Sequence, residues 1–136
     1  MAETTTNRGK YEMVSKWLAA ADLRCCYFTG TQTGTADPDL DTVADLEAVT
    51  SVAVAAERIA LANETATQDD TNNRVNIDCD TIAFSAAPGV TAQGVAIYQE
   101  GASDAARNLI GIYTTGFPQP VDGGLNVNVS DFFRQG

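Results

Sequence analysis

Asp37-Pro38-Asp39-Leu40-Asp41 sets three carboxylates at alternate positions, the way a calcium-binding loop begins. The match then fails. The sixth position is Thr42, where such a loop needs Gly for its sharp turn, and the twelfth is Ala48, where it needs a bidentate Glu. These acids are therefore read as capping and loop-solubilising groups, with calcium titration calorimetry as the check. Asp69-Asp70 and Asp78/Asp80 form a second acidic cluster, suited to keeping an edge strand soluble. Cys25 and Cys26 follow Arg24, a neighbour that lowers a thiol pKa. Adjacent strand residues point to opposite faces, however, so buried packing is the expectation. Three cysteines without CxxC spacing favour free thiols over disulfides or zinc.

The chain holds no His, which removes the usual general base, proton shuttle and commonest metal ligand. Ser and Cys nucleophiles thus lack their habitual partner, and neither GxSxG nor a glycine-rich phosphate loop is present. Nothing selects a carboxylate pair for glycoside hydrolysis. Asn63-Glu64-Thr65 and Asn128-Val129-Ser130 match the glycosylation sequon but need a secretory route, and the N-terminus lacks a basic start and an apolar core. No enzyme activity, metal or cofactor is expected.

The elements that would position these groups follow from composition and pattern. A chain of 136 residues, 44% apolar and 19% charged, suffices for one folded domain. Apolar runs are far shorter than the roughly 20 residues of a membrane helix, so no membrane partner is expected. Eight basic against 18 acidic side chains give a net charge of -10, which argues against binding nucleic acid. The asymmetry is local. Residues 1–24 hold four basic and three acidic groups, and the other 112 residues hold four and fifteen. The expected division is an N-terminal arm with a short amphipathic helix over residues 1–21, followed by a β-sandwich over 22–136.

Tyr11, Val14, Trp17, Leu18 and Ala21 recur at helical spacing and make a stripe that must be buried, against the chain's own core or a neighbouring subunit. Residues 23–28 read as a strand apolar on both faces. Val43, Leu46 and Val49 suggest a helix of two to three turns, with Thr42 as cap and Asp45 as its reciprocal acid. Propensity alone makes the Ala-rich stretch after it helical, although residues 58–62 read as a strand. Residues 74–79 alternate, with Val75, Ile77 and Cys79 on one face. Ile82 and Phe84 break that phase, so a bulge or corner is expected near Asp80-Thr81. Residues 94–98 and 109–113 are apolar on both parities, as central strands would be, and residues 125–130 alternate near a solvent-facing surface. About seven short strands separated by turns suit a mainly β, jelly-roll-like antiparallel β-sandwich with one or two short helices.

Three of these stretches, together with residues 37–46, carry a resemblance. Asp70-Thr71-Asn72-Asn73-Arg74-Val75-Asn76-Ile77-Asp78-Cys79-Asp80, then Gly94-Val95-Ala96-Ile97-Tyr98-Gln99, then Asn108-Leu109-Ile110-Gly111-Ile112-Tyr113 resemble, in that order, small virion proteins of tailed bacteriophages. The likeness runs from about residue 20 onward and consists of core strands and turns, without catalytic residues. Cys79 departs from it, since the family favours Ala there. The resemblance implies a jelly-roll sandwich acting as a capsid cement or decoration protein. Such a protein is made in the host cytoplasm, sits on the outer surface of the virion and binds the major capsid protein. A homo-dimer or homo-trimer is expected, with Arg8, Lys10, Tyr11, Val14, Trp17 and Leu18 as candidate capsid or subunit contacts. A neck or tail-associated structural protein and a carbohydrate-binding surface module are the alternatives.

Overall fold

Strand-forming residues alternate with Gly, Asp, Asn and Pro turns along most of the chain, and the computed structural model places them accordingly. It describes residues 4–128 and the backbone of Phe133–Gln135. The elements run α1 (Asn7–Ala20), β1 (Leu23–Thr29), α2 (Val43–Glu47), β2 (Ala53–Val54), β3 (Ile59–Ala60), β4 (Thr65–Asp69), β5 (Arg74–Asp78), β6 (Ile82–Phe84), β7 (Thr91–Ala92), β8 (Gly94–Gln99), a 3-10 turn (Asp104–Ala106), β9 (Asn108–Tyr113), β10 (Gln119–Pro120), β11 (Leu125–Val127) and β12 (Phe133–Gln135). The fold is mainly β, antiparallel and sandwich-like, as expected.

The principal sheet has the order β2-β1-β8-β9, with β3 pairing β1 on the same side as β2 but at the other end of the strand. Register Cys25↔Ile97 and Tyr27↔Val95 puts one alternating set on the first face, and Cys26↔Ala96 puts the other on the second. Both faces are covered, which is why β1 is buried at every position from Cys25 to Phe28 and β8 from Gly94 to Tyr98. The first face joins Val75, Ile77, Ile82, Phe84, Leu125 and Val127 in the larger core, with the Tyr27 and Phe84 rings edge to face at 5.2 Å. The second face packs Cys26, Phe28, Ala96 and Tyr98 against Val43 and Leu46 of α2. The two cysteines therefore face opposite layers, as neighbours in a strand must.

Gly94 is required where β8 meets β1. A methyl group there would lie 2.7 Å from the Phe28 ring and 2.8 Å from the Tyr113 carbonyl oxygen. Beyond this sheet, β4-β5-β12 form one sheet, and β6-β11 and β7-β10 form two-stranded pairs. The phase change near Asp80 is a corner: β5 belongs to one sheet and β6 to another, so Val75, Ile77, Ile82 and Phe84 all reach the same core.

Several sequence expectations are corrected. Helix α1 begins at Asn7, inside the supposed arm, because the Thr6 hydroxyl accepts a hydrogen bond from the Gly9 N–H at 3.0 Å and caps it. The capping box of α2 is present, but the helix stops at Glu47 after five residues. The Ala-rich stretch forms no helix. Pairing with β1 overrides propensity there and leaves the two-residue strands β2 and β3 in place of a helix, β3 being the strand expected over 58–62 in shortened form. Strand β9 is terminal among the described strands rather than central: β8 is the strand it pairs with, and on its other side Thr42 bridges Asn108. Val129 and Ser130, read as the end of an alternating strand, lie outside the described residues.

Candidate functional site

Four of the six sequence-derived contact candidates are turned toward the chain's own core. Val14 is buried, and Tyr11, Trp17 and Leu18 are half-buried against the larger apolar cluster, so the stripe of α1 is satisfied mainly by the β4-β5 layer. Lys10 is also engaged internally: its Nζ donates to the Asn73 carbonyl at 2.9 Å. Asn7 Nδ2 donates beside it to Asp70 Oδ1 at 3.1 Å and Asn73 Oδ1 at 3.2 Å. The start of α1 is thereby fastened to the β4-β5 turn. Of the six, Arg8 stays outside, paired with Glu12 at 2.6 Å and set over the Tyr11 ring at 5.0 Å.

The outward face of α1 is a different set of residues. Arg8, Glu12 and Lys16 follow one another at intervals of four, with Met13 beside them at 59% exposure. Spacing of four among the charged residues was legible in the sequence, but the apolar stripe drew attention to the opposite face. With Lys10, the helix carries three cations against one acid on a body dominated by carboxylates. Between α1 and β4 runs a groove of about 450 Å³ lined by Tyr11, Leu18, Glu64 and Ala66. Ser15 also borders it, with a buried Oγ that has no hydrogen-bond partner.

A charged cluster missed by the sequence reading joins α2 to the β8-β9 connection. Arg58 reaches Asp104 at 3.3 Å and Glu47 at 3.9 Å, while Arg107 reaches Asp104 at 2.7 Å and Glu100 at 2.5 Å. Arg24 meets Glu100 at 3.2 Å. Glu47 and Asp104 share a hydrogen bond, which holds Glu47 above the usual carboxylate range and Asp104 below it. The Arg107 hydrogen bond holds Glu100 low. The Arg58 guanidinium lies 5.5 Å from the centre of the fully buried Tyr98 ring. These residues come from four separate stretches of chain, so no local spacing announces them.

The thiols sit where burial opposes ionisation. Cys25 is pushed well above the usual range, and Cys26 and Cys79 are pushed up to about 11. All three are free cysteines. The acids singled out in the sequence are mostly engaged in local turns. Asp37 Oδ1 accepts from the Asp39 N–H at 2.9 Å, and Asp45 Oδ2 accepts from the N–H groups of Asp41 and Thr42 at 3.0 and 3.1 Å. Asp69 accepts from Asn72 and Arg74, and the Asn72 bonds keep its carboxyl below the usual range. Asp80 takes a hydrogen bond from Asn63, the first residue of one sequon. Among the described residues no three His, Cys, Asp or Glu side chains are grouped to hold a metal ion, and no helix is long and apolar enough to cross a membrane.

A second groove, of about 460 Å³, lies beside β9 and is lined chiefly by Leu40, Pro38 and residues 109–112. Its apolar strand was visible in the sequence, but its terminal place in the sheet depends on pairings that sequence spacing does not encode. Comparisons with protein-family models, curated proteins and solved structures give no significant match to this chain.

Proposed function

We propose that this chain is a structural protein of a tailed-bacteriophage virion, a capsid cement or decoration protein that binds the outer face of the major capsid shell. The observation that carries the reading is the mounting of α1. A helix bearing Arg8, Lys10 and Lys16 against a single Glu12 is fixed on a body that gives the whole chain a net charge of -10. Such a body suits the outside of a DNA-filled shell, because inside it would face concentrated phosphate. The exposed cations with Met13 give it one oriented face for an acidic partner surface. The resemblance of residues 70–80, 94–99 and 108–113 to virion proteins supports the same reading.

By binding assembled shell and not separated subunits, the protein would stabilise the particle by mass action. A homo-dimer or homo-trimer on a local symmetry axis would make each attachment multivalent. The contact set proposed is Arg8, Met13 and Lys16, a choice supported by the burial of Val14 and the engagement of Lys10 with Asn73. The test is co-sedimentation of purified protein with expanded shells that lack it. Arg8→Glu with Lys16→Glu should lower occupancy about tenfold or more at low salt, as lost rim attraction and added repulsion require. Unchanged occupancy would remove α1 as the contact, and no binding by the unaltered protein would remove the function.

A further inference from the structure

Strand β4 is the outer strand of its sheet. It pairs with β5, and among the described residues neither a strand nor a main-chain hydrogen bond reaches its other side. Open edges are ordinarily guarded by Lys, by Pro or by inward charge. Thr65-Ala66-Thr67-Gln68-Asp69 contains no Lys or Pro, and Asp69 is held at the turn by Asn72 and Arg74.

Helix α1 lies over β4 and β5 and runs antiparallel to β4. Its start is bonded to Asp70 and Asn73, just past the end of β4, and its last turns share a groove with Glu64 and Ala66 at the beginning of the strand. That groove touches β4 and not β5, so the flank of α1 that lines it overhangs the open edge. The flank is small and mostly uncharged, with Ser15 and Ala19 between Tyr11 and Leu18, and the buried Ser15 Oγ has no hydrogen-bond partner. Its two ends differ in sign: exposed Arg8 stands at one and Glu64 at the other.

A second copy set antiparallel on this edge, about a twofold axis beside Thr67, complements it. Thr67 faces its own counterpart, Ala66 faces Gln68 and Thr65 faces Asp69, so no two large or like-charged side chains are opposed along the strand. Glu64 of each copy comes to the Arg8 end of the other, where Asp70 already accepts from Asn7 and Gln68. Strands lie about 4.8 Å apart, and each α1 sits between its β4 and β5, so the two helix axes fall about 10 Å apart, the ordinary distance for packed helices. The Ser15 hydroxyls, near the axis, then gain polar partners. Two bodies of -10 repel, and α1, with three cations against one acid, is where that repulsion is least.

We propose that the β4 edge and the overhanging flank of α1 form the interface of a symmetric homodimer, a second copy of this chain continuing the β12-β5-β4 sheet and packing its own α1 beside the first. Both helices then stand on one face of the joined sheet, with exposed Met13 and Lys16 of each left outward. The proposal stands apart from the virion reading, since edge and flank belong to the free protein.

The full-length protein is followed by sedimentation equilibrium and hydrogen exchange from micromolar to millimolar concentration. A dimer is expected, with amide protection at alternate residues of 65–69 that is lost on dilution. Thr67→Lys, at an exposed position, sets two like charges across the axis and should weaken dimerisation about tenfold or more. Arg8→Glu and Glu64→Arg should each weaken it several-fold, and the two together should recover most of the loss, as an exchanged charge pair requires. A monomer at millimolar concentration, a trimer, a dimer indifferent to Thr67→Lys, or no recovery in the double exchange would overturn the proposal. Shell co-sedimentation reads a different property: a monomer that binds shells removes this interface alone, and a dimer that does not bind them removes the virion reading alone.

Discussion

Replacing Leu46 with Ala tests whether the principal sheet is covered on its second face. Leu46 is fully buried in a small cluster with Cys26, Phe28, Val43, Ala96 and Tyr98, each of them fully buried, and it belongs to a helix of only five residues. Truncation removes three buried carbons and leaves a space that α2 can only partly close, because its start is fixed by the capping box and by the Val43 N–H bond to the Arg107 carbonyl. Leu→Ala changes in well-packed cores cost about 2–5 kcal/mol, and the thin cover here places the expected loss near the lower middle, at about 3 kcal/mol. With an unfolding entropy of roughly 2.1 cal/mol/K per residue, a chain of this length should lose about 10 °C in Tm. The assay is thermal and urea unfolding followed by circular dichroism, with Met13→Ala, at a 59% exposed position, as the control expected to shift stability by less than about 0.5 kcal/mol. An unchanged urea slope with a lowered midpoint would fit a packing loss. A Tm change below about 3 °C would refute the second core, because a sheet open on that side gives Leu46 nothing to leave.

Glu47→Gln should stabilise the protein at neutral pH: the folded state holds the Glu47 pKa above its unfolded value, so its charged form is disfavoured above that pKa and the penalty disappears as pH falls below it. The gain over the unaltered chain should be visible in urea unfolding at pH 7 and absent at pH 4; a gain independent of pH would contradict the shared hydrogen bond with Asp104. Glu100 and Asp104 have the opposite sign, with folded pKa values held low, so their contribution is present above the ordinary carboxylate range and is lost on acidification through their folded values. Gly94→Ala should cost about 1–3 kcal/mol in the same assay, since its methyl group meets both the Phe28 ring and the Tyr113 carbonyl, and a neutral result would mean β1 and β8 are spaced differently. Thiol titration at pH 8 should find Cys25 and Cys26 unreactive in the native protein, Cys79 slow, and all three reactive in guanidinium; rapid native labelling of two thiols would contradict their burial.

Local signals in the sequence were reliable where one physical rule governed. The alternation of Val75 and Ile77, the two-sided apolarity of residues 94–98 and the Thr42/Asp45 capping box each correspond to an observed element. The phase slip before Ile82 likewise marks a change of sheet, because a period of two cannot be broken without reorienting the chain. What remained hidden depends on distant pairings. Residues 109–113 have the apolarity of a central strand, yet among the described strands β9 is terminal, and it is half-buried. Periodicity cannot distinguish a strand covered by two neighbours from one flanked by a neighbour and a groove. The Ala-rich stretch shows the same limit, with β1 dictating its conformation across more than twenty residues.

The candidate contact surface was legible in part. Helical spacing located α1 and its buried stripe, but not that Asn73 would claim Lys10 or that Arg8, Met13 and Lys16 would form the outward face. The cluster of Arg58, Glu47, Asp104 and Arg107 had no signature at all, since its members meet only after α2 and the β8-β9 connection come together.

Copy number in purified particles tests the account most directly. Quantitative gel densitometry against the major capsid protein should give hundreds of copies, as occupancy of a shell lattice requires. About six to twelve copies, the stoichiometry of a closed ring, would place the chain at the neck or tail instead, and its absence from the particle would contradict the virion role altogether.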